Sequence, residues 1–257
     1  MHYIVKQVYP WLYSILEPGE PDVFFYLVLG AKEALLYDTG YGVGQLKTAI
    51  RGITDLPVTV VLGHGHLDHA NGAYQFDEAW IHGGDLELCR QHSSEGFRKD
   101  IANTLQNPPE GFVRDEYLKA GTGKLRNLEA GRVFDLGGLQ LEVIAMEGHT
   151  AGSVGLLAKE HKVLLTSDAS NPHIWMFLEE SLPVSTYIAM LERTYRLDFD
   201  TFFLGHTDEP QPKSDFLRYI NVARNASIEK ARPYETIFTG SKGYIYGEDG
   251  IEIIFKK

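Results

Sequence analysis

Five times in this chain an apolar run of strand length gives way to a short polar loop carrying histidine or aspartate. Leu35-Leu36-Tyr37 leads to Asp38, and Val58-Thr59-Val60-Val61-Leu62 leads to His64-Gly65-His66-Leu67-Asp68-His69. Val143-Ile144-Ala145-Met146 leads to His149, Val163-Leu164-Leu165 to Asp168, and Phe202-Phe203-Leu204 to His206. The pattern confines the chain to a layered α/β arrangement. Strands covered on both faces read as continuous apolar runs, and ligand groups in open sheets gather beyond strand ends. The second loop is the densest, with three imidazoles and a carboxylate in six residues. Both are ligands for a borderline divalent metal. If the strand stops near Leu62, His64 and His66 project to one side of the extended continuation, and Asp68 and His69 follow on a turn into a helix. One strand end then supplies two short ligand groups, which is what a two-metal centre needs. A lone histidine after a strand is usually a capping or surface residue, so the weight lies in the set.

No linker, low-complexity stretch or repeat period divides the 257 residues, which are enough for one substantial core. The chain therefore reads as a single domain, 1–257, of the α/β (α+β) class. Expected strands are Tyr3–Val8, Trp11–Leu16, Val23–Leu29, Ala34–Tyr37, Pro57–Leu62 and Ala79–His82, with a short helix over Gly44–Arg51. From about 84 to 132 the sequence is polar and helix-rich, broken by Asn107-Pro108-Pro109-Glu110-Gly111; it reads as a helical insertion, a candidate cover over the site. Strand signals resume at Val133–Leu136 and Leu139–Met146, with Gly137-Gly138 as a tight hairpin turn, then at Ser153–Ala158 and Lys162–Leu165. Helical spacing marks Val184–Arg196 and Lys213–Lys230, the latter opened by Pro212, with Thr201–Leu204 a strand between them. Ile237–Phe238, Gly243–Tyr246 and Ile251–Phe255 read as closing strands.

The net charge of −11 argues against a nucleic-acid partner. Cys89 is the single cysteine, without a motif around it, and reads as a small core residue; no disulfide can form within the chain, as suits a reducing compartment. The N-terminus lacks the apolar run of a signal peptide and no segment reaches spanning length, so the expectation is a cytoplasmic chain without a membrane partner.

Taken together, His64-x-His66-x-Asp68-His69, His149 within Gly148-His149-Thr150-Ala151-Gly152-Ser153, Asp168 and Gly205-His206, with Asp38-Thr39-Gly40 upstream, resemble the motif series of the metallo-β-lactamase-fold hydrolase superfamily, in particular its glyoxalase II-like and lactonase-like members. The resemblance implies a four-layer αββα sandwich with a dinuclear site at one edge of the two sheets. It implies that His64, His66 and His149 bind one metal, that Asp68, His69 and His206 bind the second, and that Asp168 bridges both. Asp38 would orient the ligand loops by accepting hydrogen bonds. The implied cofactors are two divalent ions, zinc first, although a thiolate-free donor set also accepts iron or manganese.

Several departures narrow the reading. Asp168 stands where common β-lactamases carry a cysteine ligand, which argues against lactam hydrolysis. Asn171 stands near the position where quorum-signal lactonases have a tyrosine, Gly63 and Ala70-Asn71-Gly72 depart from the glyoxalase II pattern, and strands close the chain in place of the helical glutathione-binding domain. The implied chemistry is hydrolysis of a small ester, thioester or lactone by a metal-bridging hydroxide. Two ions, two carboxylates and that hydroxide leave a net charge of about +1 to hold a developing oxyanion. Asp68, besides ligating, is the catalytic candidate for orienting the nucleophile or shuttling its proton. His173, Trp175 and Phe177 are candidates to line a substrate pocket, and Phe97, Phe112 and Tyr117 to cover the mouth or to form a core within the insertion. His2, His82, His92 and His161 read as surface or ordinary core residues. The alternative of another class is a mononuclear-iron, persulfide dioxygenase-like oxidoreductase of the same fold; a phosphodiesterase would need a basic groove that the sequence lacks.

Overall fold

In a computed structural model that describes residues 2–236 and 240–257, the first seven strands form one sheet whose spatial order follows the chain. They are β1 (Ile4–Tyr9), β2 (Leu12–Glu17), β3 (Val23–Leu29), β4 (Ala34–Tyr37), β5 (Val58–Val61), β6 (Ala79–His82) and β7 (Leu125–Leu128). β1 to β4 are antiparallel neighbours; β4 to β7 run parallel, so their connections cross over the outer face and carry the helices. Those helices are α1 (Leu46–Arg51), the single-turn α2 (Leu67–Ala70), α3 (Leu86–His92), α4 (Glu95–Thr104) and α5 (Arg114–Lys119).

The second sheet is built from β8 (Val133–Asp135), β9 (Gln140–Ala145), β10 (Val154–Ala158) and β11 (Val163–Leu165). After β12 (His173–Met176) and α6 (Val184–Tyr195), the chain adds β13 (Thr201–Phe203) and the short β14 (Gln211–Pro212), giving the order β14-β13-β11-β10-β9-β8. α7 (Phe216–Asn225) follows, and β15 (Arg232–Glu235), β16 (Lys242–Glu248) and β17 (Ile251–Phe255) join β12 in a third sheet ordered β12-β17-β16-β15.

Residue alternation along the strands separates the layers. Leu35 and Tyr37 of β4 enter the core between the two large sheets with Leu141, Val143, Leu156 and Phe203, while Ala34 and Leu36 face outward onto Leu46 and Ile50 of α1. On the far side, Leu164 and Phe202 pack against Tyr187, Met190 and Phe216 of α6 and α7. The stack is thus helix, sheet, sheet, helix, and strands buried on both faces carry apolar residues at every position. Two tyrosines span the inner core and end on backbone carbonyls across it: Tyr37 Oη donates to Val154 O at 2.6 Å and Tyr26 Oη to Leu204 O at 2.9 Å. Cys89 lies fully buried under the first sheet, where burial pushes its thiol up to about 12, so it is a packing residue.

Two expectations need correction. The helical stretch closes at Lys119, and Leu125–Leu128 is an edge strand parallel to β6; its central Arg126 and Asn127 are exposed, which hid it among polar residues. α7 stops at Asn225 instead of running to Lys230, because Ala226 turns extended (φ −62°, ψ 118°). The closing strands β16 and β17 stand as read; with β15 and β12 they form a small sheet packed beside α6 and α7, added to the αββα stack. The expected strand at Ile237–Phe238 lies outside the described residues. The Gly137-Gly138 turn stands as read: φ values of 86° and 85° are the left-handed pair a two-residue hairpin demands.

Candidate metal centre

Loops leaving both large sheets meet at one rim. Beyond β5 the backbone bends through Gly63–Gly65, departing from the extended continuation expected, and returns to extended geometry at His66 (φ −71°, ψ 154°); the rings of His64 and His66 lie 4.7 Å apart, and α2 then carries Asp68 and His69. His149 comes from the β9–β10 loop, Asp168 from the turn after β11, and His206 from the loop after β13.

The seven side chains fall into two groups, His64, His66 and His149 in one and Asp68, His69, Asp168 and His206 in the other, each with donor atoms within 4.8 Å of one another. In the first, His64 Nε2 and His149 Nε2 lie 3.1 and 2.9 Å from His66 Nδ1. Nitrogen donors sharing one tetrahedral zinc would sit about 3.3 Å apart. In the second, Asp168 Oδ1 lies 3.3 Å from both His69 Nε2 and His206 Nε2, and Asp68 Oδ2 lies 3.4 Å from His69 Nε2 and 3.7 Å from His206 Nε2. The other Asp168 oxygen lies between the groups, 3.3 Å from His206 Nε2, 3.8 Å from His149 Nε2 and 4.0 Å from His64 Nε2. His69 Nε2 is buried without a hydrogen-bond partner although two carboxylates stand at ion-pair distance. A cation bound there would satisfy all three, so the residues fit a metal.

The opposite nitrogen of each imidazole is tied to an oxygen. His149 Nδ1 donates to Trp175 O and His206 Nδ1 to Asp22 O, each at 2.7 Å, and His66 Nε2 donates to Glu180 Oε1 at 2.7 Å. His69 Nδ1 donates to Asp38 Oδ2 at 3.1 Å, and His64 Nδ1 lies 3.4 Å from Ser167 Oγ, whose own proton goes to Asp38 Oδ2. Because these oxygens accept, each ring in its neutral form turns the lone pair of its second nitrogen into the cluster. Asp38, at φ 66° and buried, also accepts from Gly63 N at 2.6 Å and so holds the start of the dense motif. Gly205 is needed beside His206, since a side chain there would run into the Asp168 carboxylate and the His69 ring.

Sequence reasoning missed three residues at this rim. Asp85, buried, accepts from Gly65 N at 2.9 Å, Gly152 N at 2.6 Å and Thr150 Oγ1 at 2.6 Å, so one carboxylate joins the loop of His64 and His66 to the loop of His149. It follows β6 in the same strand-then-polar-loop pattern and was detectable on that signal. Glu180 stands 114 positions from His66 and no local pattern pairs them. His92, read as a surface or ordinary core residue, stacks on His66 at 5.0 Å and carries Phe97 on its other side at 4.5 Å.

That stack is how the helical insertion reaches the site. Phe112 and Tyr117 instead pack in a small core with Tyr41, Val43 and Leu67, and Arg98 ties the insertion to the motif by donating to Asn71 O at 2.9 Å between the rings of Tyr74 and Tyr117. Of the pocket candidates, His173 is exposed and pairs with Glu252 at 2.9 Å, Phe177 is buried against Ile245 and Ile254, and Trp175 packs on Phe177 while its carbonyl holds His149. A cavity of about 500 Å³ between α1 and the insertion, lined by Lys47, Arg51, Phe112 and Tyr117 among others, includes none of the seven side chains.

Charge separates the two groups. Burial, together with neighbouring imidazoles, holds His64 well below the usual histidine range and lowers His149 as well. Burial also acts on His69 and His206, but Asp168 and Asp68 outweigh it, raising His69 well above its ordinary value and His206 to about 8. Those histidines in turn hold Asp68 and Asp168 low against the cost of burial. Burial likewise opposes ionisation of Glu180, yet its hydrogen bond with His66 brings it down to about 2.

The family model for the metallo-beta-lactamase superfamily matches residues 18–206, which spans the whole motif series. The acyl-coenzyme A thioesterase MBLAC2 of Gallus gallus is 30% identical over 154 residues, 56% of each chain, and that of Homo sapiens is 27% identical over 186 residues, 67% of each. The match thus spans little more than half the length of the chicken relative. The hydroxyacylglutathione hydrolase GloC of Haemophilus influenzae is 27% identical over 146 residues, 53% of this chain and 61% of that protein. Among solved structures, a metallo-beta-lactamase family protein from Thermus thermophilus superposes with a TM-score of 0.62 at 21% identity, covering 84% of this chain and 80% of that one, a likeness of fold.

Proposed function

The chain belongs to the metallo-beta-lactamase superfamily, and from that premise we propose that it is a metal-dependent hydrolase of small thioesters. The observation that carries the reading is the placement of Asp168 between the two donor groups, within 4.0 Å of imidazole nitrogens of both, with the outer nitrogens of His149, His206 and His69 tied to oxygens. His64, His66 and His149 would hold one divalent ion, Asp68, His69 and His206 the other, with Asp168 shared, and zinc is the first expectation for an all-nitrogen-and-oxygen set. When bound, the ions supply Lewis acidity toward the substrate carbonyl and a source of hydroxide at neutral pH.

The protein's own groups do the rest. Asp68, partly open and beside His69 and His206, would orient the nucleophile or shuttle its proton to the leaving sulfur. Asp38 and Ser167 keep His69 in one tautomer, and Asp85 fixes the distance between the two loops that carry the three-histidine group. Thioester is preferred to ester or lactone because the two relatives of different name, an acyl-coenzyme A thioesterase and a hydroxyacylglutathione hydrolase, share that bond. No described helix is long and apolar enough to cross a membrane.

The test is elemental analysis of protein purified without added metal, followed by acyl-coenzyme A, S-acyl glutathione, lactone and β-lactam substrates on that sample. About two metal equivalents and turnover confined to the thioesters are expected. Metal-replete protein that leaves both thioester classes intact would overturn the proposal.

A further inference from the structure

The short segment after β12 grips the three-histidine group from one side. Trp175 O accepts from His149 Nδ1, Ser181 Oγ donates to His149 O at 2.9 Å, and Leu182 N donates to Gly148 O at 2.9 Å. All of these hold His149 and its loop. The one contact the segment makes with His66 is through a side chain, Glu180, at 2.7 Å. On its flat face the His66 ring is covered by His92, nearly parallel at 19°. The stack sets the plane of the ring but leaves it free to present either edge, because a stacked imidazole can turn over within its plane.

We propose that Glu180 is the positioning residue that decides which edge of His66 faces the cluster. Its carboxylate accepts the Nε2 proton, and this leaves the Nδ1 lone pair toward His64 Nε2 and His149 Nε2. Among the imidazoles of that group, His66 is the one whose outer nitrogen meets a carboxylate; His149 meets a carbonyl and His64 a hydroxyl. A carboxylate partner also makes the imidazole a stronger donor. The three-histidine position therefore borrows negative charge from a loop that contributes no ligand to it. The inference rests on the reading that these histidines hold a metal.

The experiment compares Glu180→Ala and Glu180→Gln with the unaltered protein, titrating zinc into metal-free samples against a chromophoric chelator and recording the cobalt(II) visible spectrum. Glu180→Ala should weaken one of the two equivalents about 10–100-fold and shift the cobalt spectrum, with the other equivalent unchanged. Glu180→Gln, whose amide oxygen accepts the same hydrogen bond without the charge, should recover the part of the affinity that ring orientation supplies and fall between Glu180→Ala and the unaltered protein. The metal-free melting temperature should stay the same in both, since the contacts of Ser181 Oγ and Leu182 N with the His149 loop remain. Two wild-type-tight equivalents in Glu180→Ala would overturn the proposal. So would a loss of affinity matched by a fall in the metal-free melting temperature and not rescued by glutamine. An unaltered protein that bound no zinc would instead remove the metal reading itself.

Discussion

The two halves of the rim are built from the same loops but on different electrostatic principles. His64, His66 and His149 are three buried imidazoles whose inward nitrogens face one another at 2.9 and 3.1 Å, and burial keeps His64 and His149 neutral. Asp68, His69, Asp168 and His206 pair two carboxylates with two histidines, and each sign stabilises the other against the cost of burial. The second group is held together by its own charges. The first has Asp168 alone as a negative charge beside it, at 3.8 to 4.0 Å, and is kept in place from outside, by Trp175, Glu180, Ser167 and Asp85. A donor set with no internal charge balance needs a rigid scaffold or a cation, and here the scaffold comes from three separate loops.

The comparison breaks most completely at Asp168, which belongs to both halves. Asp168→Ala should remove metal from both positions and lower kcat/KM by a factor above the roughly 10–100-fold typical of residues that merely orient a ligand. Elemental analysis beside thioester kinetics checks it, and unchanged metal stoichiometry would contradict a bridging role.

A smaller effect should separate the halves. Asp38→Ala loosens His69 and the start of the motif at Gly63. It should weaken the carboxylate-side equivalent about 10–100-fold and the three-histidine one less, the reverse order of Glu180→Ala. If the two variants chiefly weaken the same equivalent, the halves are not independent.

The smallest effect is on stability, and it runs in opposite directions with pH. His69 and His206 have raised folded values, so in metal-free protein their contribution is full below the unfolded value of 6.5 and fades as pH rises, for His206 through about 8. His64 and His149 are lowered, so their contribution is present above 6.5 and lost as pH falls below it. Thermal melts of chelator-treated protein should therefore peak near about 6.5 and decline on both sides, and added zinc should flatten the curve. A metal-free curve that rises or falls steadily across this range would show that one half dominates.

Legibility followed locality. β3, β4, β6 and β17 were readable to the residue, because apolar residues bounded by turns report burial directly. β7 was not, since an edge strand with a solvated face looks like loop, and the end of α7 was not, since nothing in Ala226-Ser227 forbids another helical turn. At the rim, the Asp38 contacts lie where a strand-end carboxylate would place them, and Asp85 repeats a visible pattern. Glu180 and His92 reach His66 only through loop placement.

A layered α/β chain with histidine and aspartate just beyond its strand ends was legible from local pattern, because alternation and spacing record strand burial, and the resemblance to a known motif series singled out seven candidate ligands among them. The tertiary structure alone decided which edge of each imidazole faces inward, that Asp168 lies between two groups, and that the insertion reaches the site through His92 and Phe97. Ring orientation depends on acceptors as far as 184 positions away along the chain, as between His206 and Asp22, and no local pattern encodes a contact of that span.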